Sequence, residues 1–163
     1  EFIAQDGLEI DLPIVECLEN SLTHLLRNAI DHGLETPEER LALSKPEAGT
    51  VRLQIEKIES DRVRVLCSDD GKGINAAALK NAVSKKGLMS AEDLERMPDD
   101  QAYELIFIPG LSTKTEVTEV SGRGVGLDAV KQKIIELNGG IKTRSELGRG
   151  TSFEITLPRL FQL

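Results

Sequence analysis

Five side chains in one short run, His24, Arg27, Asn28, Asp31 and His32, stand out for what they are able to do. On a helix, positions 24, 28, 31 and 32 share one face, and the apolar residues fall on the other. A solvated helix face usually carries Lys and Glu, so this stripe is either an unusual surface or a site. Histidine and aspartate are transition-metal ligand types, but two helical turns, about 12 Å of rise, separate His24 from His32. One zinc ion shared by both on a straight helix is geometrically poor. A catalytic triad would need a nucleophile nearby, and the sequence marks none. The third role is Mg-nucleotide binding, because the Asn28 carboxamide oxygen is a hard donor that adds no negative charge beside phosphates. That role requires a phosphate site elsewhere in the chain.

Two glycine clusters are candidates for it. Ser68-Asp69-Asp70-Gly71-Lys72-Gly73 follows an apparent strand and precedes a helix. Asp69 there is placed to accept a hydrogen bond from an exocyclic amino group, while Gly71 and Gly73 let a flat ring approach the backbone. An ordinary Asp-Gly turn is the plainer reading. Gly122-Arg123-Gly124-Val125-Gly126 opens a helix, where exposed N–H groups and the helix dipole favour anions. Gly124, Gly126 and Ala129 also match a dinucleotide-binding spacing, but that fingerprint needs a buried strand before it, and Thr113 to Ser121 is charged and Thr-rich. The P-loop and protein-kinase motifs are absent.

The elements that must position these residues follow from periodicity. Pro13 fits a first helical turn, and Val15, Leu18, Leu22, Leu25, Leu26, Ala29 and Ile30 follow at helical spacing until Gly33. Leu8 to Asp11 is expected as a short strand. Thr36-Pro37-Glu38-Glu39 is a capping box opening a short helix. Thr50–Glu59 and Arg62–Ser68 alternate apolar and polar residues and predict a hairpin, as do Ile141–Leu147 and Thr151–Leu157 around Gly148-Arg149-Gly150. Helices are expected over 76–86, 90–96, 101–107 and 124–138, with Leu111 to Ser121 a mobile loop. The sum is an α+β two-layer sandwich, helices on one face of a mixed sheet.

A chain of 163 residues suits one domain. With 28 acidic against 20 basic residues its net charge is −8, which disfavours non-specific nucleic-acid binding. Apolar runs are too short to span a bilayer, and no leader segment opens the chain, so a cytoplasmic location is expected. Cys17 and Cys67 suit neither a disulfide framework nor a zinc site and are expected as core filler. The chain opens on Glu1-Phe2 without Met, which suits either a fragment of a larger protein or a cloning remnant.

A helix bearing Asn, then Asp-x-Gly-x-Gly, then a lid and Gly-x-Gly-x-Gly resembles the Bergerat-type ATP-binding fold, shared by histidine kinases, type II topoisomerases, MutL and a class of heat-shock chaperones. Within it, His24-Leu-Leu-Arg-Asn-Ala-Ile-Asp-His-Gly33, Pro109-Gly-Leu-Ser-Thr-Lys114 and Val120-Ser-Gly-Arg-Gly-Val-Gly-Leu-Asp-Ala-Val-Lys131 look like the kinase domain of CheA-type chemotaxis histidine kinases. The resemblance runs from about Leu8 to Leu157. It implies one catalytic domain over 1–163, with a core at 8–157 and an ATP lid at 109–122.

Carried over motif by motif, the resemblance implies that Asn28 coordinates Mg²⁺ and that His24 sits beside the γ-phosphate in a catalytic role. Arg27, Asp31 and His32 would complete the polar wall. Asp69 would accept the adenine amino group, with Gly71 and Gly73 under the ring. Ser112, Thr113 and Lys114 belong to the lid, where Lys114 meets terminal phosphate charge. Gly122, Arg123, Gly124, Val125, Gly126 and Leu127 would hold the triphosphate. Leu111 and Leu127 replace the family's usual Phe and Met, apolar for apolar. Lys85 and Lys86 align only loosely with basic residues near the phosphates. The implied activity is transfer of the γ-phosphoryl group of Mg-ATP to a histidine on a separate phosphotransfer domain, then to a response regulator. A coupling protein and chemoreceptors would act through other domains, and the domain itself would not insert into a membrane. The alternative is a Bergerat-type ATPase, or a nucleotide-regulated interaction module, without phosphotransfer.

Overall fold

Two antiparallel hairpins supply four of the five strands in a computed structural model of the chain, which describes residues 1–59, 61–111 and 126–160. The first joins β2 (Val51–Ile58) to β3 (Arg62–Asp69), and Asp61 takes a positive φ of 56° in its turn. The second joins β4 (Gly140–Glu146) to β5 (Gly150–Pro158). β3 pairs antiparallel with β5, and β1 (Phe2–Ala4) adds a parallel edge beside β2, giving the order β1-β2-β3-β5-β4.

Side chains alternate across a strand, so Val63, Val65 and Cys67 of β3 face the same way as Phe153, Ile155 and Leu157 of β5. All six are buried. They pack beneath α1 (Leu12–Asn28) and α6 (Leu127–Glu136), with Leu18, Leu22, Leu25, Val130 and Ile134 in one core cluster. The intervening residues Arg64, Leu66 and Ser68 are half-buried on the opposite face. This is the expected sandwich. Within α1 the buried stripe is Ile14, Cys17, Leu18, Ser21, Leu22 and Leu25, whereas Val15 and Ile30, expected among the inward residues, are exposed. Both cysteines are free and buried, and burial pushes the Cys67 thiol up to about 11.

A second cluster holds Ala76, Val83, Leu94, Ala102, Leu105 and Leu111. It is built by α3 (Ala76–Lys85), α4 (Ala91–Arg96), α5 (Asp99–Ala102) and a 3-10 helix at Tyr103–Phe107. That 3-10 helix bridges the clusters, since Leu105 belongs to the second and Phe107 to the first. Between them Glu104 pairs with Lys131 of α6 at 2.7 Å and accepts from the Thr143 amide of β4 at 3.3 Å.

The expected strand at Leu8–Asp11 does not form. Leu8 and Ile10 pack against the core, but this stretch joins no ladder; the Asp11 amide donates to the Arg159 carbonyl and Asp11 caps α1. The edge strand lies earlier, at residues 2–4, whose side chains are all exposed and carry no alternation to read.

Candidate functional site

The polar stripe sits where α1 changes its winding. After Asn28 the helix widens into a π-helical turn at Ala29–Gly33, closed by the Leu34 amide donating to the Ala29 carbonyl at 2.8 Å. Such one-turn widenings of an α-helix are frequent at functional sites. His24 and Asn28 are half-buried on the last turns of α1, whereas Arg27, Asp31 and His32 are exposed. The π turn packs against β3 and β5, which brings the stripe to the ends of the central strands.

Asp69 ends β3 on the helix-facing side, half-buried. Burial raises its carboxyl above the ordinary 3.8, with the charges of Asp70 and Glu35 adding to the rise, and backbone hydrogen bonding from Gly71 and Thr151 opposing it. The Gly71 amide donates to Asp69 Oδ1 at 2.9 Å. One residue on, the Lys72 amide donates to the Gly33 carbonyl at 2.9 Å and ties the Asp-Gly turn to the π turn. This approach is close enough to demand glycine: a Cβ on Gly71 would lie 2.1 Å from the Gly33 oxygen. At Gly73 the demand is double, because φ is +72° and a Cβ would lie 2.3 Å from the Glu146 oxygen. Both glycines are therefore fixed by the chain's own backbone, before any ring is considered.

Gly126 precedes α6 and Leu127 opens it, half-buried against the main core. Ser112, Thr113, Lys114, Gly122, Arg123, Gly124 and Val125, with most of the expected lid, lie outside the described residues. The structure thus brings the π turn, which follows His24 and Asn28 in the chain, to the end of the sheet that holds Asp69, Gly71 and Gly73. Among the described residues, no group of three or more His, Cys, Asp and Glu is arranged to hold a metal. A cavity of about 300 Å³ reaches Asp69 between the ends of β3, β4 and β5, but its lining includes no residue of α1.

Sequence reasoning missed what lies behind the Asp-Gly turn. Arg40, on α2 (Pro37–Ala42), is only 1% exposed. Its guanidinium pairs with Glu35 at 3.1 Å and with Asp70 at 2.9 Å and donates to the Pro46 carbonyl. Lys45 pairs with Glu35 at 2.6 Å. Burial acts to raise Asp70 and Glu35, but hydrogen bonds and these cations hold both below their ordinary values. The available signal was the doublet Asp69-Asp70, since two adjacent carboxylates at a half-buried turn require a cation.

Residues 17–160 match the family model described as histidine kinase-, DNA gyrase B-, and HSP90-like ATPase. The chain belongs to this ATPase family. It is 41% identical to the chemotaxis protein CheA of Halobacterium salinarum over 159 residues, 97% of this chain and 24% of that protein. It is 46% identical to the sensor histidine kinase CheAY of Helicobacter pylori, over 96% of this chain and 19% of the other. The chain thus spans about a quarter or less of the length of these relatives. Among solved structures, full-length ShkA in complex with AMPPNP superposes with a TM-score of 0.59 at 22% identity, over 99% of this chain and 25% of that one. The catalytic domain of the histidine kinase ThkA gives 0.56 at 22% identity, over 97% and 76%. These likenesses show the fold, and the CheA-type resemblance extends over nearly the whole chain.

Proposed function

We propose that this chain is the ATP-binding catalytic domain of a chemotaxis-type histidine kinase. The observation that carries the reading is Asp69: a half-buried carboxylate, oriented by the Gly71 amide, at the sheet end that also receives the Asn28 helix. Its role is to accept the adenine amino group. Asn28, half-buried and adjacent to the π turn, offers one neutral oxygen, which fits Mg²⁺ carried in on phosphates better than a metal caged by protein. When bound, Mg²⁺ supplies charge neutralisation on the phosphates. His24 stands by the γ-phosphate, and Arg27, Asp31 and His32 form the polar wall. Ser112, Thr113 and Lys114 cover the nucleotide, and the segment from Gly122 to Leu127 holds the triphosphate by its amides.

Phosphoryl transfer needs positioning and charge stabilisation more than covalent participation by the enzyme. His24 and His32 both belong to the nucleotide wall, so the phosphoryl acceptor is a histidine on another domain of the same protein, and the chain alone does not phosphorylate itself. A response regulator lies downstream, while a coupling protein and receptors act through other domains of a cytoplasmic kinase. Among the described residues no helix is long and apolar enough to cross a membrane. The chain is one catalytic unit over 1–163, with its core at 8–157 and its lid at 109–122.

The test is titration with ADP and an ATP analogue, with and without Mg²⁺, beside Asp69→Asn and Asn28→Asp. Loss of binding in Asp69→Asn and altered Mg²⁺ dependence in Asn28→Asp are expected. A folded chain that binds no nucleotide at millimolar concentration overturns the reading. Steady phosphate release with no labelling of a supplied acceptor domain would replace the kinase by an ATPase.

A further inference from the structure

Two consecutive peptide units, Asp70–Gly71 and Gly71–Lys72, face the candidate site with their amides. The Gly71 amide donates to Asp69 Oδ1, and the Lys72 amide donates to the Gly33 carbonyl of the π turn. A trans peptide is a rigid plane whose C=O and N–H point in opposite directions, so holding the oxygen aims the hydrogen. Lys45 bonds both oxygens, and Arg40 Nη1 also reaches the Asp70 oxygen, at 3.4 Å. Lys45 Nζ donates to the Asp70 carbonyl at 2.9 Å and to the Gly71 carbonyl at 2.8 Å. Its third bond, to Glu35 at 2.6 Å, uses the last of the three donors of an ammonium. Glu35 is itself tied to the buried Arg40, whose Nη2 donates to Asp70 Oδ2 at 2.9 Å and fixes the adjacent side chain. The Thr50 amide completes that side at Asp70 Oδ1, 2.8 Å away.

We infer that Lys45 is a positioning residue for the nucleotide site: it clamps the outer side of the Asp70–Gly71–Lys72 backbone and so aims the amide that orients Asp69. Arg40 and Glu35 hold the clamp in place. The geometry distinguishes this from general stabilisation, because both bonds fall on the two peptide units whose opposite ends define the site. The inference rests on the proposed reading of Asp69 as the group that recognises the adenine amino function. Hypoxanthine carries an oxygen where adenine carries that amino group, so preference for ADP over IDP reports the aim of Asp69.

The experiment measures ADP and IDP affinities of the full chain, with amide exchange of Gly71 and Lys72 in the absence of nucleotide, for the parent, Lys45→Met and Lys45→Arg. In Lys45→Met, ADP affinity is expected to fall about tenfold, as for one lost charge-assisted hydrogen bond, with IDP affinity little changed. Exchange at Gly71 and Lys72 should quicken while amides in β5 keep their rates. Lys45→Arg, which keeps the charge and several donors, should recover most of the preference. Should Lys45→Met not fold, Lys45→Gln carries the same comparison. Unchanged ADP-over-IDP preference together with unchanged exchange overturns the inference, and so does an equal loss for both nucleotides. A parent that binds neither nucleotide, or shows no preference, overturns the reading of Asp69, while the exchange rates still decide whether Lys45 clamps the turn.

Discussion

Asp69 and Asp70 are sequence neighbours whose carboxyls are shifted in opposite directions. Burial lifts Asp69 above 3.8, whereas the Thr50 amide, Arg40 and Lys45 outweigh burial at Asp70 and hold it below that value; Glu35 is likewise held below its ordinary 4.5. The pH consequences therefore separate. The ionised Asp69 is the stronger acceptor for an amino group, so ADP affinity should decline as pH falls through a value above 3.8. The stabilisation from Asp70 and Glu35 is complete above their ordinary values and is lost only as pH falls through their lowered ones. Affinity and melting temperature, followed on the same samples from pH 7 downward, should show binding lost first and the fold later. Coincident loss would contradict this account of Asp69. Gly71→Ala is a second expectation at this scale. Its Cβ would meet the Gly33 backbone oxygen at 2.1 Å, and backbone does not yield as the end of a flexible side chain would. The variant should lose more than about 1 kcal/mol in urea denaturation and bind ADP poorly, because the turn must move.

Elements differ in how plainly they were written in the sequence. Both hairpins were legible from the alternation of apolar and polar residues, which in β3 becomes a buried face: Val63, Val65 and Cys67 alternate with Arg64, Leu66 and Ser68. The capping box was legible too, and both halves form, Glu39 N–H to Thr36 Oγ1 at 3.3 Å and Thr36 N–H to Glu39 Oε2 at 3.0 Å. β1 was not, since its three residues are exposed and earn their place by backbone pairing alone. Nor was the π turn, because one extra residue per turn leaves no signature in Ala29-Ile-Asp-His-Gly33. At the candidate site, motifs single out Asn28 and Asp69, but the Arg40–Asp70 contact spans 30 positions and no local pattern reveals it. Two substitutions test the elements. Leu25→Ala removes a fully buried side chain that anchors α1 to the sheet, and should cost about 3 kcal/mol by denaturant titration. Thr36→Ala removes the cap of α2 and should cost about 1 kcal/mol, also loosening the helix that carries Arg40.

At the scale of the molecule, the sheet and its two long helices form one core and the short helices after β3 form another. Among the described residues, a five-residue 3-10 helix joins them, with Leu105 and Phe107 in different cores and Glu104 tied to α6 and β4. Two apolar clusters melt as one unit only while the interface between them is worth more than the freedom gained by parting. So small a join makes cooperativity itself a mutable property. Glu104→Ala leaves both cores intact and should split one thermal transition into two, with the calorimetric enthalpy exceeding the van't Hoff value. A single unbroken transition would mean that Leu105 and Phe107 suffice as the joint. Through those five residues, the chain's freedom to fold as one body or as two depends on a stretch that both cores share.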